Sequence, residues 1–371
     1  MNILPNQIVV QSTSEQSESN PVAPRPLQVI AHPNFRRAYT ELDHFFRYSE
    51  SKLIFVVGPS GAGKTTLKNL LRQKLEKEFS ELPRRQRRGR IATVSANLPS
   101  PTRGSFSFSP VLYTLLSQLR LKDLQHVERP SRWGGEDVVA HFSKVFARRR
   151  PLACFLDEGQ NLSLVGHSRH LINNLALLNR LADATSIKFI LFGTYDLVEA
   201  MNSYVPLGRR VDIVKIEAYR HDELNAFLNI AWDVFKDLGI EVDLTPENDG
   251  DFLFERSLGA IGLLRKWVQL AAIEPRLAGR KLTRADLEKS SLHLPLLQSM
   301  MLDICYGKDI FRETTEDRNR LNQMILDLGP QVSALPVIHA KKTGQRLKPG
   351  VRKLERYLVG NLIDQVRAAE G

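Results

Sequence analysis

The 371-residue chain predicts an α/β fold: a five-stranded parallel sheet, a small helical lid after it, and a helical, basic C-terminal extension. Three observations carry this. Short apolar runs alternate with helical patterns up to Tyr219, and strands that alternate with helices build parallel sheets covered on both faces. After Tyr219 the pattern is helical throughout. A glycine-rich segment, Gly58-Pro59-Ser60-Gly61-Ala62-Gly63-Lys64-Thr65, joins the first apolar run to the helix behind it.

Residues 1–28, rich in Ser, Gln, Asn and Pro with little apolar periodicity, predict a flexible tail, because such a stretch buries too little surface to order itself. From Phe35 to Phe46 apolar residues recur at helical spacing (Phe35, Ala38, Leu42, Phe45, Phe46). Strands are expected at Leu53–Val57, Ile91–Ser95, Leu152–Leu156, Ile187–Phe192 and Val211–Ile216, with connecting helices at Thr65–Phe79, Pro110–Leu119 and Glu136–Arg148. The α/β core thus covers residues 29–220. The lid, 221–293, is expected as helices at Asp222–Leu238, Glu247–Leu253, Gly262–Ile273 and Arg284–Lys289; Thr245 and Thr283 supply hydroxyl caps with an acid in the first turn. Residues 294–371 continue as weaker helices to Leu328, a loop holding Pro330 and Pro336, and a basic tail from Lys341 to Arg367.

Composition narrows the class. Apolar residues at 42% and charged residues at 25% fit a globular protein. No apolar run reaches the roughly 18–20 residues of a membrane span and no signal-peptide order opens the chain, so a cytoplasmic protein without a membrane partner is expected. Two cysteines are too few for a disulfide framework or zinc site. The net charge of +11 favours a polyanionic partner.

The glycine-rich segment matches G-x-x-x-x-G-K-[ST] in the context that gives the motif meaning, an apolar strand before it and a helix after it. Such a phosphate-binding loop curls its backbone so that N–H groups of Gly58 through Thr66 surround phosphate oxygens at a helix N-terminus. Lys64 is expected to reach the β- and γ-phosphates of ATP and Thr65 to ligate Mg2+. Leu152-Ala153-Cys154-Phe155-Leu156-Asp157-Glu158 is an apolar strand ending in two carboxylates. Asp157 fits the magnesium role and Glu158 that of general base, activating the attacking water. A strand intervening between loop and acidic strand favours the additional-strand class of ATPases. Thr194, after the fourth strand, is placed to orient the water or merely to end the strand in a turn. Arg209 and Arg210 precede the fifth strand, where a guanidinium can cross a subunit boundary as an arginine finger, or simply stand on the surface. Arg265 and Lys266, early in a lid helix, are either phosphate-sensing cations or a solvated basic face with Trp267 in the core.

These segments together resemble the AAA+ transposition regulators typified by TnsC and TniB, and more distantly the MuB target-DNA ATPase. The resemblance rests on Gly58–Thr66, Phe155–Leu162, Leu191–Tyr195, Leu207–Arg210 and Gly259–Trp267, and spans roughly residues 30–290. It implies an AAA+ P-loop fold and an ATPase that assembles with ATP as a ring or helical filament around double-stranded DNA, and that is reset by hydrolysis. It further implies coupling of a TniQ-type target selector, in some systems guided by CRISPR machinery, to a TnsB-type transposase, with a TnsA-type endonuclease as a further partner. Under it Arg209 or Arg210 becomes the finger, Thr194 the first sensor, and Arg265 or Lys266 the second. The resemblance also places channel-lining residues after the second strand, making Thr102 and Arg103 the preferred DNA contacts; Arg88 and Arg90, in the run Arg84–Arg90, form a second basic cluster that is a DNA contact or a solvated turn. Two other classes stay open: a STAND-like signalling or defence ATPase held closed by nucleotide, and an initiator-like DNA loader.

Overall fold

Leu53–Val57 (β1) is apolar and buried at all five positions, as expected of a strand covered on both faces. Successive side chains leave it on opposite sides: Leu53, Phe55 and Val57 enter one hydrophobic core, Ile54 and Val56 the other. The computed structural model describes residues 32–101, 106–119, 135–164, 168–202, 206 and 208–327. The N-terminal tail, Thr102, Arg103, Leu207 and the basic tail from Lys341 lie outside the described residues.

Four strands join β1: Thr93–Asn97 (β2), Ala153–Asp157 (β3), Lys188–Gly193 (β4) and Val211–Lys215 (β5), all parallel, in the order β2-β3-β4-β1-β5. The strand that separates β1 from the acidic strand β3 in space is β4, which follows both in the chain. Chain order alone suggests β2 for that place, but β2 lies at the sheet edge. Pro33–Tyr48 (α1) and Lys64–Glu81 (α2) cover one face through Phe35, Ala38, Leu42, Leu67, Leu71 and Leu75. Arg84–Arg87 (α3) is a single turn in the link to β2. The other face is covered by Ser109–Gln118 (α4), Gly135–Arg149 (α5), Ser168–Thr185 (α6) and Asp196–Asn202 (α7). The expected elements do not include α6, yet Leu175, Leu178, Leu181 and Ala182 supply a buried helical stripe there.

Beyond Tyr219 a second core forms among Leu224–Leu238 (α8), Pro246–Ser257 (α9), Ile261–Ala271 (α10) and Arg284–Lys289 (α12), with the short Ile273–Leu277 (α11) between the last two. Thr245 caps α9 and Thr283 forms a capping box with Asp286. Trp267 is buried in this core and its indole N–H donates to the Leu287 carbonyl at 3.0 Å. Leu294–Ile310 (α13) follows, and the first compact unit continues to Arg312. Long-range packing fixes it: Ile304 clusters with Ala218 and Ala260, and the Tyr306 hydroxyl donates to Glu199 at 2.8 Å. Thr315–Asp327 (α14) belongs to a second unit and exposes Leu321, Met324, Ile325 and Leu326. No helix among the described residues is long and apolar enough to cross a membrane.

A candidate nucleotide site at the carboxyl edge of the sheet

β1 delivers the chain to Gly58 at the carboxyl edge of the sheet. Gly61 and Gly63 adopt φ of 80° and 100°, left-handed values that a side chain disfavours, and this curls the loop into the start of α2. No side chain caps α2, so its first amides are directed at the cleft rather than satisfied within the chain. The Lys64 ammonium donates to the carbonyls of Gly58 at 2.7 Å and Pro59 at 2.8 Å. Burial pushes Lys64 down to about 8, while Asp303 of α13, Asp157 and Glu158 pull it the other way. The lid meets this loop backbone to backbone: a Cβ at Gly262, the second residue of α10, would collide with the Gly61 carbonyl oxygen.

Asp157 ends β3, and its carboxylate pairs with Lys68, one turn along α2 from Lys64, at 2.5 Å; their side chains are only 13% and 15% exposed. Glu158 sits at φ 60°, ψ 40°, an uncommon left-handed conformation for a residue with a Cβ. Gln160 ties the edge together. Its amide N–H donates to Glu158 Oε2 at 2.5 Å, and its Oε1 accepts from the Thr194 backbone N–H at 3.3 Å. The Thr194 hydroxyl donates to Asp196 at 3.0 Å. A cleft of about 330 Å³ is lined by Ser60, Gly61, Gly63, Lys64, Thr65, Thr66, Asp157, Glu158, Gln160, Thr194 and Gly262 among others. The register thus brings together the residues expected from loop and acidic strand.

The remaining candidates do not join them. Arg265 pairs at 2.7 Å with Asp237 of α8 and is not among the residues that line the cleft. Lys266 is exposed. Arg209 and Arg210 are both exposed, and Arg210 is bound to Asp183 and Asn179 of α6. Arg88 and Arg90 stand at the amino edge of the sheet, the end opposite the cleft.

Residues 47–201 match the family profile described as "AAA domain". This segment is an AAA domain. With the strand order and the cleft above, the chain has the AAA+ P-loop fold, binds nucleotide, and is an ATPase. Among solved structures, the chain is similar to a Walker-type ATPase of Pyrococcus abyssi (15% identity, 80% of this chain and 79% of that one, TM-score 0.47). It is also similar to the ORC2 protein of Aeropyrum pernix (13% identity, 79% and 84%, TM-score 0.45). A third is domain III of the replication initiation protein DnaA of Thermotoga maritima (15% identity, 73% and 92%, TM-score 0.39). No curated protein matches the chain.

Three site features escape sequence reasoning. Gln160 stands within a motif already singled out, but its bond to the Thr194 amide depends on a neighbouring strand. Lys68 follows Lys64 by one helical turn, a weak hint. Asp303, more than 200 residues from the loop in sequence, gives none. A buried polar contact lies beside the AAA domain as well: His32 Nδ1 meets the Tyr219 hydroxyl at 3.1 Å, and burial pushes the His32 ring down to about 4.

Proposed function

We propose that the chain is an ATP-dependent regulator of transposition of the TnsC type. It assembles on double-stranded target DNA with ATP bound, couples a TniQ-type selector to a TnsB-type transposase, and leaves the DNA after hydrolysis. One observation supports this best: Lys64 is the one cation among the residues lining the cleft, and Lys68 beside it is taken up by Asp157, so charge developing on a transferred phosphoryl group calls for a cation from outside. Arg209, exposed, suits a neighbouring copy; Arg210, engaged by Asp183, suits it less.

The donor set fits magnesium. Mg2+ prefers oxygen ligands and commonly binds through one or two carboxylates plus substrate phosphates. Thr65 and Asp157 offer a hydroxyl and a carboxylate on the cleft wall. Bound there, the ion neutralises phosphate charge. Glu158 serves as the base that orients and deprotonates water, held by Gln160; Thr194 is positioned by the same amide side chain. The curled amides of Gly58–Thr66 hold the phosphates.

The test is electron microscopy and sedimentation of the full chain with duplex DNA, using Glu158→Gln to hold ATP unhydrolysed. Rings or filaments that need both ATP and duplex, and that Lys64→Ala abolishes, are expected. Monomers under all conditions would reject the proposal in favour of a nucleotide-closed signalling ATPase, the reading supported by Asp303 of α13 lying within electrostatic reach of Lys64.

A further inference from the structure

Two arginine runs, distant in sequence, meet at the amino edge of the sheet. Arg84, Arg85, Arg87, Arg88 and Arg90 occupy α3 and the turn into β2; Arg148, Arg149 and Arg150 end α5 and lead into β3. β2 and β3 pair in parallel with Thr93 beside Ala153, so the segments that precede them are forced side by side. The ladder continues into both: Ile91 N–H donates to the Arg149 carbonyl at 3.0 Å and Leu152 N–H to that of Ala92 at 2.8 Å. Side chains cross the same seam, Arg90 to the Arg150 carbonyl at 3.4 Å and Arg149 to the Gly89 carbonyl at 3.3 Å. The seam is therefore a fixed platform rather than two independent loops.

Six of the eight, Arg84, Arg85, Arg87, Arg88, Arg148 and Arg150, are exposed. Neither segment, 82–92 or 147–152, contains an acidic residue. Of the carboxylates on the last turns of α2, Glu76 is engaged by Arg72 and Thr93, and Glu78 by Arg47, which leaves Glu81 at the helix end. Each pair of like charges about 8 Å apart in water costs about 0.5 kcal/mol before salt screening, so crowding of this kind is relieved by a polyanion.

We infer that this face is a nucleic-acid surface in its own right, gripping the phosphodiester backbone without sequence preference and independently of the nucleotide cleft. All eight cations are arginine, whose planar fork matches phosphate oxygens two at a time. A protein partner would need apolar anchors, and no large apolar side chain is exposed in either segment. The nucleotide cleft lies at the other end of the same strands, roughly 16 Å away for five residues of strand. The inference extends the DNA-binding reading above but does not require ATP-driven assembly.

The experiment is fluorescence anisotropy of the nucleotide-free full chain on a labelled duplex across a salt series. The wild type is compared with Arg84→Ala/Arg85→Ala/Arg87→Ala/Arg88→Ala and with the same four positions changed to Lys. The alanine variant is expected to bind at least about 100-fold more weakly at low salt, with the slope of log K against log salt flatter by about 3 to 4, as four lost phosphate contacts imply. The lysine variant should keep the slope, and both should keep wild-type thermal melting and basal ATP turnover. Unchanged affinity and slope in the alanine variant, or no duplex binding by the nucleotide-free wild type, would overturn the inference. So would tighter binding of a polyglutamate peptide than of a duplex of equal charge, which would assign the face to an acidic protein. Failure of ATP-dependent assembly leaves these outcomes untouched, so the two proposals fail separately.

Discussion

At the scale of single residues, Lys68 holds the carboxylate that the proposed magnesium ion would use. An ammonium at 2.5 Å from Asp157 and a magnesium ion both draw on one negative charge, so they compete. Lys68→Met should lower the Mg2+ concentration that half-saturates nucleotide binding by about tenfold and weaken metal-free ATP binding by a similar factor, close to 1.4 kcal/mol in each case. Titration of a fluorescent ATP analogue with and without EDTA checks both directions; an unchanged magnesium requirement would leave Lys68 a mere structural partner. His32 yields a prediction on pH. Its Nδ1 accepts from the Phe35 amide and lies 3.1 Å from the Tyr219 hydroxyl, and burial lowers the ring from an ordinary 6.5 to about 4. The folded protein thus binds fewer protons than the unfolded chain between those values. Stability is fully present above pH 6.5 and falls as pH drops toward 4, by about 3 kcal/mol in all. Denaturant unfolding at pH 7.5 and 4.5 should show that loss in the wild type and much less of it in His32→Asn.

At the scale of elements, the decisive contact is α10 against the phosphate loop. The partner at Gly262 is the backbone oxygen of Gly61, which cannot swing aside as a side chain can. Gly262→Ala should therefore cost about 1–3 kcal/mol by overpacking and reduce nucleotide affinity together with melting temperature; calorimetry and a thermal melt measure the pair, and a neutral result in both would mean that the lid stands off the loop. Much of this layer is legible in sequence. β1 runs from Leu53 to Val57 in expectation and structure alike, because five apolar residues before a glycine leave little alternative. The loop and the Asp157-Glu158 pair are equally plain, since adjacent residues carry their chemistry. α6 is hidden because its apolar stripe is interleaved with Asn173, Asn174, Asn179 and Arg180. Gln160 and Lys68 are hidden for another reason: what they touch is decided by which strands become neighbours, and chain order misplaces the strand beside β1.

At the scale of the whole molecule, the proposed assembly calls for a cation from a neighbouring copy, and Arg209, exposed just beyond the AAA domain, is the candidate. Arg209→Ala should lower assembled ATP turnover by about 10³-fold while leaving ATP binding by the isolated chain unchanged. Mixing it with Lys64→Ala subunits should restore some of the activity, because a site can then draw its loop from one copy and its guanidinium from the other; no recovery in the mixture would locate the arginine's role within its own subunit. Arg265, by contrast, stabilises the lid through Asp237 and should affect melting before turnover. Helix α13 touches the sheet side through Tyr306 and Glu199, and the connector and lid through Ala218, Ala260 and Leu263 beside Ile304. Rotation of the lid away from the sheet would break one of those attachments, so α13 braces the lid against the sheet as a strut does.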